Sequence, residues 1–321
     1  YNWIIMRRKA KIIFFGTPNF AIPSLKTLIN SKCSILAVVT TTDKPQGRGN
    51  QIKYSAVKNF AIASGIEIFQ PENLDNEEFY NKLIDLKADL FVVVAFRKIP
   101  KKIWSIPKFG TFNLHASLLP QYRGAAPIHW SIINGERESG LTTFLINEKI
   151  DYGDILFQKK IKIELNDSMG TLEQKMMSES GEIVLKTINA VMSGKIMPIK
   201  QLRKTNLKKA PKLNKKNTKI DWKLSGLKIS NFVKGLNPKP CAWTYVFFGN
   251  KKLKAKIKDI SFENSEPFGK YGIITENQKK LIVNVVDGII YINEIHLEGK
   301  KSLKTSDFLN GFKIPENSYF L

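Results

Sequence analysis

Short, unbroken apolar runs recur through the first half of the chain and sharply narrow the folds open to it. "KIIFFG", "SILAVVTT", "IEIFQ" and "DLFVVVAF" are too short for buried helices. Most carry no alternating polar face, so they must be covered on both sides, as strands of a parallel sheet are. The segments between them, "NFAIPSLKTLI", "AVKNFAIASG" and "NEEFYNKLIDLKA", space their apolar residues as amphipathic helices do. Strands alternating with helices predict an α/β fold with a doubly wound, mostly parallel (Rossmann-like) sheet. "TFNLH" is the next strand, "AAPIHWSIINGE" a helix, and "GLTTFLINEKIDYGDILFQKKIKI" supplies further strands. The amphipathic helix "TLEQKMMSESGEIVLKTINAVMSG" closes a first domain, expected over residues 1–200.

Periodicity then stops. Residues 201–219 hold Arg203, Lys204, Lys208, Lys209, Lys212, Lys215, Lys216 and Lys219 with no acidic residue among them, interrupted by Pro211. We read residues 201–218 as a basic linker. Beyond it, a short helix ("SGLKISNFVKGL") and the turn "NPKP" precede five strand-like runs: "AWTYVFF", "KLKAKIKDI", "GIITE", "KLIVNVV" and "GIIYINEIHL". That spacing predicts a C-terminal β-barrel domain of the OB-like, oligonucleotide-binding type over residues 219–321.

Charge follows the same division. Lys and Arg total 51 against 28 Asp and Glu, a net +23. Residues 201–321 carry 24 of the basic and only 10 of the acidic side chains. Such an excess suits a polyanionic partner, nucleic acid above all, although a chain rich in Lys, Ile and Asn also acquires charge from coding bias. Two distant cysteines, Cys33 and Cys241, form neither a disulfide framework nor a zinc pattern, which points to a reducing cytoplasm and no metal. No apolar run reaches the length of a membrane span. The first residues have the wrong order of charge and apolar character for a secretory signal. We read Met6 as the start and Tyr1 to Ile5 as an extension.

Within "TFNLHASLLPQYRGAAPIHW", Asn113 and His115 lie two residues apart, on one face of a strand, with Leu114 on the other. An amide donor beside a ring that exchanges protons near neutral pH suits a reaction that develops an oxyanion and moves a proton. Two polar side chains satisfying a loop would leave the same pattern, and the pair alone does not decide between them.

The wider pattern does. "FFGTPNFAIPSL", "DKPQGRG", "FNLHASLLPQYRGAAPIHWSIINGE", "IDYGDIL", "KIDW", "GLNPKPCAWTY" and "DFLNGFK" resemble the methionyl-tRNA formyltransferases over nearly the whole chain. The resemblance implies transfer of a formyl group from 10-formyltetrahydrofolate to the α-amine of initiator methionyl-tRNA, without a metal, by a monomeric cytoplasmic enzyme. It implies catalysis by Asn113, His115 and Asp151, with Asp154 competing for the acidic role. It places the folate's pterin ring against Ser117, Leu118, Leu119 and Pro120. The glycine-rich loop "TTTDKPQGRGNQIK" lacks a Walker ending. By the resemblance this loop enters the tRNA acceptor stem through Arg48, with Lys44 beside it and Lys208, Lys209 and Lys212 on the linker as further tRNA contacts. Phe96 and Arg97 depart from the aromatic-glycine pair that follows this strand in many relatives. Two other readings compete: a formyltransferase for a small amine, such as a glycinamide ribonucleotide or an amino sugar, and a tRNA-binding protein without activity.

Overall fold

The computed structural model describes residues 9–46, 51–202, 205–267 and 269–321, so Met6, Arg48, Arg203 and Lys204 lie outside the described residues. Two compact units emerge. One comprises Tyr1–Gly124, Ser139–Ile161 and Glu173–Lys209; the other comprises Ala125–Glu138, Lys162–Leu172 and Ala210–Leu321.

In the first unit the chain runs β1 (Lys11–Gly16), α1 (Ile22–Ile29), β2 (Ser34–Val39), the antiparallel pair β3 (Lys44–Gln46) and β4 (Gln51–Lys53), α2 (Ala56–Ala63) and β5 (Ile68–Phe69). It continues through α3 (Glu77–Asp85), β6 (Leu90–Val94), α4 (Lys101–Trp104), β7 (Thr111–His115) and β8 (Arg123–Gly124). After α5 (Pro127–Ile133), which groups with the second unit, come β9 (Glu138–Leu145), β10 (Ile155–Lys162), α6 (Met169–Met192) and β11 (Lys209–Ala210). Local chemistry sets the boundaries: Ser55 and Asn76 accept hydrogen bonds from Lys58 N and Phe79 N and so cap α2 and α3.

The main sheet has the order β10-β9-β7-β6-β1-β2-β5. Strands β5, β2, β1, β6 and β7 pair in parallel, each through its neighbour, as the unbroken apolar runs require. β9 departs from them and pairs antiparallel to β7, opposing Phe144 to Asn113 and Thr142 to His115. From β1 the chain winds one way through β2 to β5 and the other way through β6 to β7. The crevice beyond the carboxyl ends of β1 and β6 is therefore where an open α/β sheet offers a ligand site. Fully buried Phe14, Phe15, Phe91 and Phe112 lock the central strands together.

The second unit contains α7 (Gly226–Leu236), β12 (Ala242–Phe248), β13 (Lys251–Asn264), β14 (Ile274–Asn277), β15 (Lys280–Val285), β16 (Gly288–Leu297), β17 (Leu303–Lys304), α8 (Thr305–Asn310) and β18 (Tyr319–Phe320). Its antiparallel sheet, ordered β14-β15-β16-β13-β12-β18 with β17 on β16, is a curled, OB-like half-barrel. A bridge between Ile273 and Tyr319 draws its two edges together. Ile229, Val233 and Leu236 of α7 fill the core with Ala255, Ile257 and Ile260 of β13, and Trp222 stacks on Phe320 at 4.9 Å. β13 runs beyond the expected "KLKAKIKDI" because register shifts around Asp259 restart the alternation that Phe262 continues.

Phe112 is fully buried on the face of β7 opposite Asn113 and His115. Phe112→Ala is expected to cost about 3–5 kcal/mol of stability, the usual range for a core aromatic; equilibrium urea unfolding measures it.

Candidate active site

Strand β7 delivers both polar side chains to the carboxyl end of the sheet. Val93 of β6 lies beside Asn113 on one side and Phe144 of β9 on the other. His115 is buried, and its ring is held at one nitrogen and faces a carboxylate with the other. Nε2 lies 2.9 Å from the Tyr122 carbonyl oxygen. A carbonyl only accepts, so Nε2 carries a proton in the neutral ring. Nδ1 then holds the basic lone pair, and it faces Asp151 Oδ1 at 3.9 Å. That separation exceeds hydrogen-bond length but keeps a carboxylate where it stabilises an imidazolium.

Asp151, rather than Asp154, faces the histidine. Asp154 contributes its backbone carbonyl to Leu145 N of β9. The Asp151 side chain is one-tenth exposed, and its second oxygen accepts a hydrogen bond from Gly124 N at 2.9 Å. Gly124 has φ 128°, which glycine adopts freely, and Asp151 has φ 59°, which a residue with a side chain adopts at a cost. Gly153, two residues on, admits no side chain: a Cβ there would sit 1.5 Å from the Leu145 carbonyl oxygen.

Residues 201, 202 and 205–209, part of the expected linker 201–218, group with the first unit. Gln201 Nε2 donates to the carbonyls of Asp151 and Gly153. Lys208 N donates to Gln121 Oε1, and the Lys208 carbonyl accepts from Tyr122 N at 2.7 Å. The residue whose carbonyl holds His115 is thus itself held by this segment. Nothing in the local sequence signalled Gln201 or the Tyr122 carbonyl, because these contacts join positions far apart in the chain.

A cavity of about 140 Å³ opens beside Asn113 and Asp151, with Val93, Phe96, Ile99 and Phe144 among its apolar walls. It is smaller than the several hundred Å³ a drug-sized ligand fills, so it takes one ring system and leaves the rest of a ligand outside. Arg97 does not block it from within: its guanidinium donates to the carbonyls of Pro71 and Glu72. Ser117 to Pro120 are not among its lining residues. Their backbone is engaged elsewhere. Thr142 Oγ1 donates to Ser117 O and accepts from Leu119 N, while Gln158 Nε2 donates to Leu119 O. These bonds tie the turn to β9 and β10. Among the described residues, no group of three His, Cys, Asp or Glu side chains is placed to hold a metal, and no helix is long and apolar enough to cross a membrane.

Of the residues expected to meet nucleic acid, Lys44 is exposed on β3, and Lys208, Lys209 and Lys212 are exposed. Arg48 lies outside the described residues. The base of its loop is anchored at Asp43, which Lys58 and then Gln70 hydrogen-bond, holding the carboxyl below its ordinary range. The second unit adds a face that sequence reading overlooked. Trp243, Tyr245 and Phe247 alternate on β12 and oppose Lys256, Lys254 and Lys252 of β13. Lys254 lies 4.7 Å from the Trp243 ring centre and Lys252 4.2 Å from that of Tyr245. Ammonium groups over aromatic faces offer phosphate contacts and stacking together. The period-two signal was present in "AWTYVFF" and "KKLKAKIK".

Comparison with known proteins follows the same two parts. Residues 10–188 match the family described as "Formyl transferase" and residues 212–313 the family described as "Formyl transferase, C-terminal domain". The methionyl-tRNA formyltransferase of Flavobacterium johnsoniae is 41% identical over 310 residues, which covers 97% of this chain and 98% of that protein. That of Thermodesulfovibrio yellowstonii is 43% identical over 306 residues, covering 95% and 97%. Among solved structures, WlaRD, a sugar 3N-formyl transferase crystallised with dTDP and 5-N-formyl-THF, aligns with a TM-score of 0.65 at 23% identity, over 92% of this chain and all of that one. HypX from Aquifex aeolicus, in complex with tetrahydrofolic acid, aligns at 0.63 and 18%, covering 94% of this chain and 47% of that one.

Gly153→Ala forces the Leu145 backbone or the Asp151 turn to move. We expect about 1–3 kcal/mol of destabilisation, as for overpacked cores, and a site with Asp151 displaced. Thermal melting and turnover, measured on the same variant, report the two effects.

Proposed function

This chain belongs to the methionyl-tRNA formyltransferase family, and we propose that Asn113, His115 and Asp151 carry out its reaction. It is a transferase that moves the formyl group of 10-formyltetrahydrofolate to the α-amine of methionyl-tRNA, giving the formylated aminoacyl-tRNA used in translation initiation. The observation that carries the site assignment is the convergence of Asn113 and Asp151 on one small cavity, with His115 Nδ1 aimed at Asp151.

The cavity fits the co-substrate by the chemistry of its walls: apolar side chains such as Val93, Phe96 and Phe144 beside polar ones such as Asn113 and Asp151 suit a heterocycle with hydrogen-bonding edges. When bound, 10-formyltetrahydrofolate supplies an activated formyl carbon. The Asn113 amide donates hydrogen bonds to the oxygen on which negative charge develops. His115 Nδ1 takes the proton shed by the attacking amine, the Asp151 carboxylate stabilises the resulting imidazolium, and the imidazolium gives that proton to the departing folate nitrogen as its bond to the formyl carbon breaks. Tyr122 O keeps the ring from turning. The Ser117–Pro120 turn shapes the folate side of the site.

Recognition of tRNA is assigned to Arg48 and Lys44 on the loop after β2, to Lys208, Lys209 and Lys212, and to the lysine-covered aromatic face of the second unit. Initiator tRNA is the proposed acceptor. The domains we assign are a catalytic part over residues 1–200, a basic segment over residues 201–218 and a tRNA-binding part over residues 219–321. A monomer working in the cytoplasm fits the paucity of cysteine.

Replacing His115 or Asn113 by Ala is expected to lower turnover on the order of a hundredfold, the loss usual for one oxyanion donor. Asp151→Asn should do likewise. The assay uses labelled 10-formyltetrahydrofolate with three acceptors: charged initiator tRNA, charged elongator tRNA and free methionine. Near-normal turnover of His115→Ala would remove the histidine from the mechanism, and preference for a free amine would favour the small-amine reading.

Arg48→Ala, and separately Lys252→Glu with Lys254→Glu, should weaken tRNA binding and flatten its dependence on salt as fewer counterions are released. Affinity for 5-formyltetrahydrofolate should stay unchanged. Filter binding across a salt series reads the slope directly.

A further inference from the structure

Asp151 occupies the left-handed backbone region, with φ 59°. A residue with a side chain stays there only where its surroundings impose it. Two side chains do so here. The Asp151 carbonyl accepts from Arg123 Nε at 2.9 Å and from Gln201 Nε2 at 3.0 Å. Gln201 Nε2 also donates to the Gly153 carbonyl at 2.7 Å. Its Oε1 in turn accepts from the Arg123 guanidinium through Nε, at 3.1 Å, and through a terminal nitrogen. Between them, the guanidinium lies 3.5 Å from the Tyr152 ring centre. The pair thus holds three consecutive residues: 151 through both side chains, 152 through Arg123 and 153 through Gln201.

The orientation of the Gln201 amide is fixed by this arrangement. Its oxygen meets a cation and its nitrogen meets two carbonyls, so neither a flipped amide nor a carboxylate satisfies all partners. Arg123 spends its inward donors within the protein, which sets it apart from the exposed lysines. The far end of the same turn is fixed by Gly124 N on Asp151 Oδ2. The turn therefore has its carbonyl and its carboxylate both tied, and one carboxylate oxygen is left facing His115.

We infer that Gln201 and Arg123 are positioning residues for formyl transfer: they set the Asp151 backbone so that its free carboxylate oxygen faces His115 Nδ1. The inference rests on Asp151 acting with His115 in the reaction. Neither residue touches the reacting atoms. Their effect passes through Asp151 alone, and a double-mutant cycle exposes that route.

The test is kinetic, on the full chain with charged initiator tRNA and 10-formyltetrahydrofolate, comparing wild type, Gln201→Ala, Gln201→Glu, Arg123→Lys, Asp151→Ala and Asp151→Ala with Gln201→Ala. Gln201→Ala should lower kcat about ten- to a hundredfold, the scale of a small misplacement at a reacting centre. KM for both substrates should stay within about twofold, and the melting temperature close to wild type. Gln201→Glu should lose as much kcat despite its equal size, because a carboxylate cannot donate to the two carbonyls. Arg123→Lys should fall between, since a lysine reaches one acceptor and cannot bridge. In the Asp151→Ala background, Gln201→Ala should cost less than about twofold more.

An equal loss in both backgrounds, a loss expressed in KM for tRNA, or full activity in Gln201→Glu would overturn the inference while leaving the catalytic reading intact. Normal turnover by Asp151→Ala would overturn both, and that single variant distinguishes the two failures. If Gln201→Ala proves unstable, Gln201→Glu and Arg123→Lys decide the matter, with binding of 5-formyltetrahydrofolate as the control for folding.

Discussion

Asp151 combines a positive φ with two fixed ends, and the site depends on both. Its carboxylate lies 3.9 Å from His115 Nδ1, and a flexible loop would average that geometry away. Strain at the residue is offset by hydrogen bonds to its carbonyl and to one carboxylate oxygen. The histidine is restrained in turn by a carbonyl whose own residue is tied to Lys208. Preorganisation here is a property of backbone atoms as much as of side chains, and such groups need little rearrangement during reaction.

Electrostatics distinguish the two units. In the first, charges at the centre are few, buried and arranged around one acid and one base. In the second, lysines lie in rows over aromatic rings on the outside of a curled sheet. A tRNA demands both kinds of surface: a long charged body that can be held through phosphates, and a single amine to be placed within a fraction of an ångström of its target.

Much of this was legible in the chain. Unbroken apolar runs declared the parallel strands, and period two in the last third declared the antiparallel ones. Asn113 and His115 announced their common face by spacing alone. What stayed hidden has a common cause. The antiparallel direction of β9, the hydrogen bonds of Gln201 and the contacts of Lys208 with Gln121 and Tyr122 are all relations between distant segments. A strand's own residues do not encode its direction, and a glutamine in a basic stretch looks like any polar surface residue until its partners are known. Arg97 illustrates the converse. By sequence it stands out as a charge where many relatives have glycine, yet its guanidinium is taken up by two backbone carbonyls.

The division into units carries a consequence for how the protein is made. The chain passes from one unit to the other at 124/125, 138/139, 161/162, 172/173 and 209/210. A ribosome releases residues in order, and a unit completes its core only when its last segment has emerged. Residues 125–138 and 162–172 are therefore synthesised well before the half-barrel they join. Ile133, which packs against the core of that half-barrel, waits for partners that begin with α7 at Gly226. Nascent chains of this design expose apolar surface for longer than chains whose domains follow one another in sequence, and chaperones that bind exposed apolar segments have their longest opportunity there.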